Sequence, residues 1–411
     1  MMSYRALSTT FLPFARYFSF SLIDRVVAGL TPLVVLLVGN DASVYNQLEY
    51  VLALALLASI PLDLGMRSYL MYGYSEADTA DREARLRELA ASFYTIQLLV
   101  ALGGAGLALL AVTLGFSVAV FAFVGVRAIF SVLIQFYAVW YRISDNPDGI
   151  FRFSILINLS SVLVSVLWVL FGQKLVLEVV LAPYALALII YFIFSRNLLG
   201  AVSQRRLFEI GASAIRYSWP VSLNSLLSLG VISFSKVYVY HEFPEADMTR
   251  LSLAYRLGLG MQAVHAAVGG YFHKRLFLGN KHDLFRIGRI YIALLVSALL
   301  AAVFVLAGLD FVSLGRYFGM DTVLVLTYVL LWCMAAALET VYNRVNQNIL
   351  IPLISGAGAI TYISILIFLG SSTLLHISTA MVISAFVLLT LSIISLVVLV
   401  RQGRILWEER W

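Results

Sequence analysis

Apolar residues run through this chain in long unbroken blocks, not in the single-face stripes of soluble amphipathic helices. A helix crossing ~30 Å of hydrocarbon needs roughly 20 mostly apolar residues. Stretches of that kind fall at 14–38, 44–73, 90–112, 117–141, 151–171, 175–195, 215–240, 249–272, 287–308, 322–343, 349–369 and 377–400. Thr113–Phe116 separates the third from the fourth, and Gln173-Lys174 the fifth from the sixth. The segment 74–89 reads as a charged linker or a short helix. Composition agrees with this pattern. Of 411 residues 62% are hydrophobic and 12% charged, and the mean hydropathy is +0.94. A soluble domain is about half apolar and a quarter charged, so a water-soluble enzyme is excluded, as is a disordered chain. The expected architecture is an all-α polytopic membrane protein with twelve transmembrane helices in two six-helix lobes.

Charge then sets the orientation. Twenty Lys and Arg fall in the two tails and alternate loops, among them Arg5, Arg82, Arg142, Arg205, Arg206, Lys281, Arg344 and Arg401. The opposite loops hold three, Lys174, Arg250 and Arg316. Such a bias places both termini in the cytoplasm. The net charge of +6 is thereby a topology signal and calls for no nucleic-acid partner. The N-terminus lacks a short apolar core followed by a small-residue cleavage site, so the first span is read as part of the mature chain. A faint internal repeat supports two lobes, 1–200 and 201–411. Arg16-Tyr17 opens the first span as Arg216-Tyr217 opens the seventh, and Leu48-Glu49-Tyr50-Val51-Leu52 aligns with Leu253-Ala254-Tyr255-Arg256-Leu257. With six spans per repeat, the halves run in the same direction.

Five basic residues remain inside spans: Arg25, Arg67, Arg127, Lys236 and Arg256. Ionisable groups at membrane depth are costly and mark a functional site by default, so these five are the candidate substrate-binding residues. Lys236 has the alternative of snorkelling to the outer surface, and Arg67 of pairing with Asp63 at i,i+4. Asp24, Asp63 and Glu339 are the candidate gating or coupling acids, Glu339 also being one turn from Arg344. Glu49 and Glu178 lie near the outer interface and are read as solvated. Ser218, Ser222, Ser225 and Ser233 share a face of the seventh span with Lys236, and Ser21, Asp24, Ala28 and Thr31 share one of the first. Pro32 and Pro61 are expected to bend their helices. Among five dispersed histidines only His265 lies deep in a span, where it reads as hydrogen-bonded structure. Walker A, His-x-Glu and Gly-x-Ser-x-Gly patterns are missing from the sequence, and Cys333 is its single cysteine. No catalytic residue, cofactor or metal site is therefore expected.

Two stretches carry a family resemblance. Tyr45 to Leu70 (YNQLEYVLALALLASIPLDLGMRSYL) and Ile215 to Arg256 (IRYSWPVSLNSLLSLGVISFSKVYVYHEFPEADMTRLSLAYR) resemble the polysaccharide flippases (Wzx type) of the multidrug/oligosaccharidyl-lipid/polysaccharide exporter superfamily. The chain departs from that pattern where Lys236 or a nearby Ser replaces the usual Asp of the seventh span. The resemblance implies a bacterial inner-membrane flippase that moves an isoprenoid-pyrophosphate-linked oligosaccharide, the repeat unit of an O-antigen-like polysaccharide, to the periplasmic leaflet. Alternating access through a central cavity is the implied mechanism, with a polysaccharide polymerase and a chain-length protein as candidate partners. Five internal bases suit a pyrophosphate, which arginine contacts in bidentate fashion. The alternatives are a cation-coupled multidrug exporter of the same superfamily, a membrane polymerase or glycosyltransferase, and a scaffold.

Overall fold

The structure is a computed structural model that describes residues 4–39, 42–76, 81–115, 118–143, 149–272, 281–312, 317–344 and 349–402. In hydrocarbon every backbone N–H and C=O needs an internal partner, and a continuous helix supplies one along its whole length. The described chain is accordingly almost all helix: α1 (Tyr4–Gly39), α2 (Ala42–Leu62), α3 (Met66–Glu76), α4 (Arg82–Thr113), α5 (Ala119–Ile143), α6 (Gly149–Leu170), α7 (Leu177–Phe194), α8 (Gln204–Glu242), α9 (Glu245–Tyr271), α10 (Lys281–Val312), α11 (Met320–Arg344), α12 (Leu350–Leu369) and α13 (Leu374–Arg401). A short 3-10 turn, Arg196–Leu198, follows α7. Eleven helices among the described residues are long and apolar enough to cross a membrane. The expected eighth span is α9, whose 27 residues reach about 40 Å but are diluted by Arg250, Arg256, Gln262 and His265. The protein is a multi-pass membrane protein.

Two differences from the sequence reading have plain causes. The expected second span, 44–73, is two helices, because Pro61 lacks an N–H and the chain turns at 63–65 before α3 begins. Several helices also outrun their apolar stretches. α4 starts at Arg82 and not near 90, which makes 82–89 the helix that segment allowed, and α8 starts at Gln204 and not near 215. Polar ends propagate a helix at little cost once its apolar centre is fixed.

The chain forms two compact units, Thr31–Val237 and Met1–Leu30 with Tyr238–Trp411. In the first, α2 packs on α5, α6 on α7, and α3 on both α4 and α5. One apolar cluster there joins Val35, Tyr45, Leu48 and Val51 to Phe130, Leu181 and Tyr184. A second joins Met66, Leu70, Leu89, Phe93, Leu133 and Phe136 to Ile210 and Ala214, with the Phe93 and Phe136 rings stacked at 3.8 Å. In the second unit α11 packs against α9 and α13, and α12 against α13, around Ala335, Tyr342, Ile351 and Leu388. Large apolar side chains such as Phe304, Phe311 and Phe368 are almost fully exposed, which suits a surface solvated by lipid.

Candidate functional site

Within the Thr31–Val237 unit the break between α2 and α3 gathers polar side chains from four helices. Leu64 and Gly65 adopt positive φ, 47° and 73°, which turns the chain and frees carbonyls that hydrocarbon cannot solvate. Protein side chains reach two carbonyls at the turn, one of which, that of Gly65, also accepts the Tyr69 backbone N–H at 3.0 Å. Gln97 Nε2 on α4 donates to the Leu62 carbonyl at 2.9 Å, and Ser218 Oγ on α8 donates to the Gly65 carbonyl at 2.8 Å. Asp63 Oδ1 accepts the Arg67 backbone N–H at 3.3 Å and so caps the start of α3. The Arg67 guanidinium donates to Gln135 Oε1 on α5. The expected i,i+4 contact of Asp63 and Arg67 is therefore made through the backbone, while the charged head reaches a different helix. Gln97 and Gln135, which the sequence reading passed over, complete this cluster.

Two further polar clusters lie in the same unit. The Arg127 guanidinium sits over the Tyr184 ring, 3.9 Å from its centroid, and 5.6 Å from that of Phe130. Tyr184 Oη donates to Asn158 Oδ1 at 2.7 Å, and Asn158 Nδ2 donates to the Ser154 carbonyl at 2.9 Å. An arginine thereby rests on an aromatic face that a buried hydrogen-bond chain holds in place. The other cluster is an ion pair. Lys236 Nζ on α8 lies 2.6 Å from Glu49 Oε2 on α2, both side chains being buried. This corrects the reading of Glu49 as solvated, and it gives Lys236 an internal partner in place of a route to the surface. A residue count from the end of a span located Glu49 near the interface, but its partner is 187 positions away and leaves no local signal.

Arg25 and Arg256 belong to the other unit, as do Asp24 and Glu339. Arg25 is exposed, and its charge acts on both Tyr255 and His265. Gln262 Nε2 donates to Tyr255 Oη at 3.1 Å. His265 Nδ1 lies 3.0 Å from Tyr291 Oη, which itself donates to the Cys333 carbonyl at 2.7 Å. Because the Tyr291 proton is spent on that carbonyl, His265 Nδ1 is the donor and Nε2 carries the lone pair of the neutral ring. The His265 ring meets Trp332 edge-on at 6.2 Å. Asp24, Arg256 and Glu339 are half-buried and engaged, and the pairing expected of Glu339 with Arg344 falls outside the described side chains.

The first turns of α4 and α8 carry a charge network in the Thr31–Val237 unit. Glu88 accepts from Arg85 and from Arg206, and Arg206 Nη1 also reaches Glu209 at 3.3 Å. Above it Tyr72 and Tyr217 stack at 4.4 Å, with Tyr69 against both. Arg85 Nη2 donates to Tyr69 Oη at 3.2 Å, which ties the network to the rings. Among the described residues, no three His, Cys, Asp or Glu side chains converge as a metal site would require.

No protein-family model matches the sequence, and no curated protein is similar to it in sequence. Solved structures are similar in fold. A mutant of the Vibrio cholerae MATE transporter VcmN shares 13% identity over 97% of this chain and 99% of its own, with a TM-score of 0.58. An inward-facing multidrug resistance MATE family transporter of the MOP superfamily shares 12% identity over 94% of this chain and 95% of its own, with a TM-score of 0.57. A eukaryotic MATE transporter shares 14% identity over 97% of each chain, with a TM-score of 0.51. Across almost its entire length, the chain has the fold of the MATE transporters of the MOP superfamily.

Proposed function

We propose that this protein is a transporter, not an enzyme, and that it exports amphiphilic small molecules by alternating access, as a cation-coupled multidrug exporter does. The shared fold with MATE transporters carries this reading, since it extends over nearly the whole of both chains. The internal charges support it. With Lys236 neutralised by Glu49, the internal bases left to attract an anionic cargo fall from five to four. Two six-helix lobes, 1–200 and 201–411, with cytoplasmic termini, belong to this reading. So does a bacterial inner membrane. The test is reconstitution into vesicles, followed by uptake of a fluorescent lipophilic cation under an imposed Na+ or proton gradient. Gradient-driven accumulation above that of empty vesicles is expected. Equal uptake in both would overturn the exporter reading.

A second reading, the lipid-linked oligosaccharide flippase, is favoured by one observation: Arg25 presents an exposed guanidinium from within a span. With Arg67, Arg127 and Arg256 it would contact the pyrophosphate of an isoprenoid-linked oligosaccharide. Asp24, Asp63 and Glu339 would act as counter-ions between cycles. A polysaccharide polymerase and a chain-length protein would be its partners. The same vesicles loaded with a fluorescent isoprenoid-pyrophosphate oligosaccharide separate the readings. Protein-dependent loss of the label to an impermeant quencher on the opposite leaflet favours the flippase, and an unchanged accessible fraction removes it.

A further inference from the structure

Glu49 and Lys236 hold opposite charges 2.6 Å apart, with 0% and 4% of their side chains exposed. Their setting is largely apolar, with Asn46 and Ser233 the buried polar side chains one turn away on the two helices. Tyr45, Leu48 and Val51, the neighbours of Glu49 along α2, belong to the core cluster shared with Val35, Val180 and Leu181. Packing alone does not call for such a pair, because apolar side chains of equal volume generally stabilise a buried site as well or better. Ionisable groups at membrane depth persist where they serve a function.

Few charged or titratable groups stand on the elements around the pair. α2 itself carries Tyr45 and Tyr50. α5 carries Arg127, whose guanidinium lies over the Tyr184 ring of α7, and further along Tyr137, Tyr141 and Arg142; α7 also carries Tyr191 and Glu178, the latter exposed in its first turn. On α8 no other charged group occurs between Tyr217 and Val237, while Tyr238, Tyr240, His241 and Glu242 follow Lys236 at its end; the segment 31–39 of α1 has none. An ionised carboxylate in this environment needs a cation at contact distance. The ammonium is a compact point charge, able to sit where a small inorganic cation would.

We propose that the Glu49 carboxylate is a monovalent-cation site whose cation is tethered: the Lys236 ammonium fills the place that Na+ or a proton would otherwise occupy. The site stands on its own geometry. Its consequence for transport, that no metal cation is needed at this carboxylate, rests on the transporter reading above.

The experiment measures cation binding, so it does not depend on identifying the cargo. Wild-type, Lys236→Ala and Glu49→Gln/Lys236→Ala proteins are purified in detergent. Their melting is followed in NaCl and in choline chloride of equal ionic strength, at about pH 5.5 and about pH 8. Wild type is expected to melt alike in both salts. Lys236→Ala, which uncovers the carboxylate, is expected to gain roughly 2–4 °C on saturation with Na+ or on acidification. The double variant should lose that response. If Lys236→Ala is too unstable to purify in choline at about pH 8, its recovery in Na+ or acid reads the same gain. A single variant that responds no more than the double variant overturns the proposal. So does a single variant that stays unfolded in every condition while the double variant folds. A Na+ response of wild type that Glu49→Gln abolishes would also sink it, since the site would then be open with Lys236 in place.

Discussion

Replacing Gly65 by alanine tests the break between α2 and α3 at its tightest point. A Cβ on Gly65 would lie 2.3 Å from Ser218 Cβ, 2.6 Å from Ser218 Oγ and 2.9 Å from the Ala214 carbonyl oxygen. None of these belongs to the far end of a flexible side chain, so α8 must retreat or the turn must open. Three costs combine. Holding a non-glycine residue at φ 73° costs about 1–2 kcal/mol. Overpacking adds roughly 1–3 kcal/mol. Displacing the Ser218 hydroxyl from the Gly65 carbonyl adds about 1 kcal/mol. The sum is roughly 3–6 kcal/mol, which lowers the apparent melting temperature of detergent-solubilised protein by about 3–7 °C. Gly73→Ala is the control. Its nearest contact is the end of the Leu89 side chain at 3.2 Å and it sits inside α3, so helix propensity offsets the crowding and the shift is near zero. Ser218→Gly in the Gly65→Ala background removes both closest atoms and restores the overpacking share. The reasoning is refuted if Gly65→Ala melts within about 2 °C of wild type, or if Ser218→Gly recovers nothing.

Three further substitutions examine other contacts by the same melting assay. Tyr184→Phe keeps the ring under Arg127 but loses the bond to Asn158 and should cost about 1 kcal/mol, whereas Tyr184→Leu loses both and should cost roughly 2–4 kcal/mol; equal losses would mean that the ring contributes nothing. Asp63→Asn retains an acceptor for the Arg67 N–H and should change stability by less than about 0.5 kcal/mol, while Asp63→Ala should cost about 1 kcal/mol; transport lost in a stable Asp63→Asn protein would identify the carboxylate charge as functional. Glu88→Gln weakens the contacts with Arg85 and Arg206 together and should cost up to about 1 kcal/mol, with less cost at high salt; a salt-independent loss would point to packing instead.

The spans were legible because apolar length is a local property, readable wherever the membrane demands some twenty apolar residues. Pro61 likewise announced a disturbance in the second span, as the missing N–H required. Its form was not legible. The turn at Leu64 and Gly65 depends on Gln97 and Ser218 reaching its carbonyls from helices far along the chain. The intramembrane bases were conspicuous as residue types, but their partners were not. Arg67 finds Gln135, Arg127 finds Tyr184, and Lys236 finds Glu49, each contact being set by helix packing over long sequence separations. Glu49 was misjudged because depth was counted along one helix, and burial is conferred by the neighbours. Helix ends were missed for the opposite reason: α4 and α8 continue into polar sequence where hydropathy falls silent.

The bridge from Glu88 to Arg206 also has a place in time. Arg206 lies 118 residues after Glu88. At 5–20 residues per second, it leaves the ribosome roughly 6–24 s later. During that interval Arg85, on the same helix, is the counter-ion that Glu88 already has. Arginines at the start of a helix oppose its dipole, so Arg82, Arg85 and Arg87 disfavour the first turns of α4 unless acids such as Glu83 and Glu88 offset them. The first turns of α4 therefore carry their own counter-ions before α8 exists to share the load. The contact made afterwards by Arg206 turns a charge balance within one helix into a clasp between two.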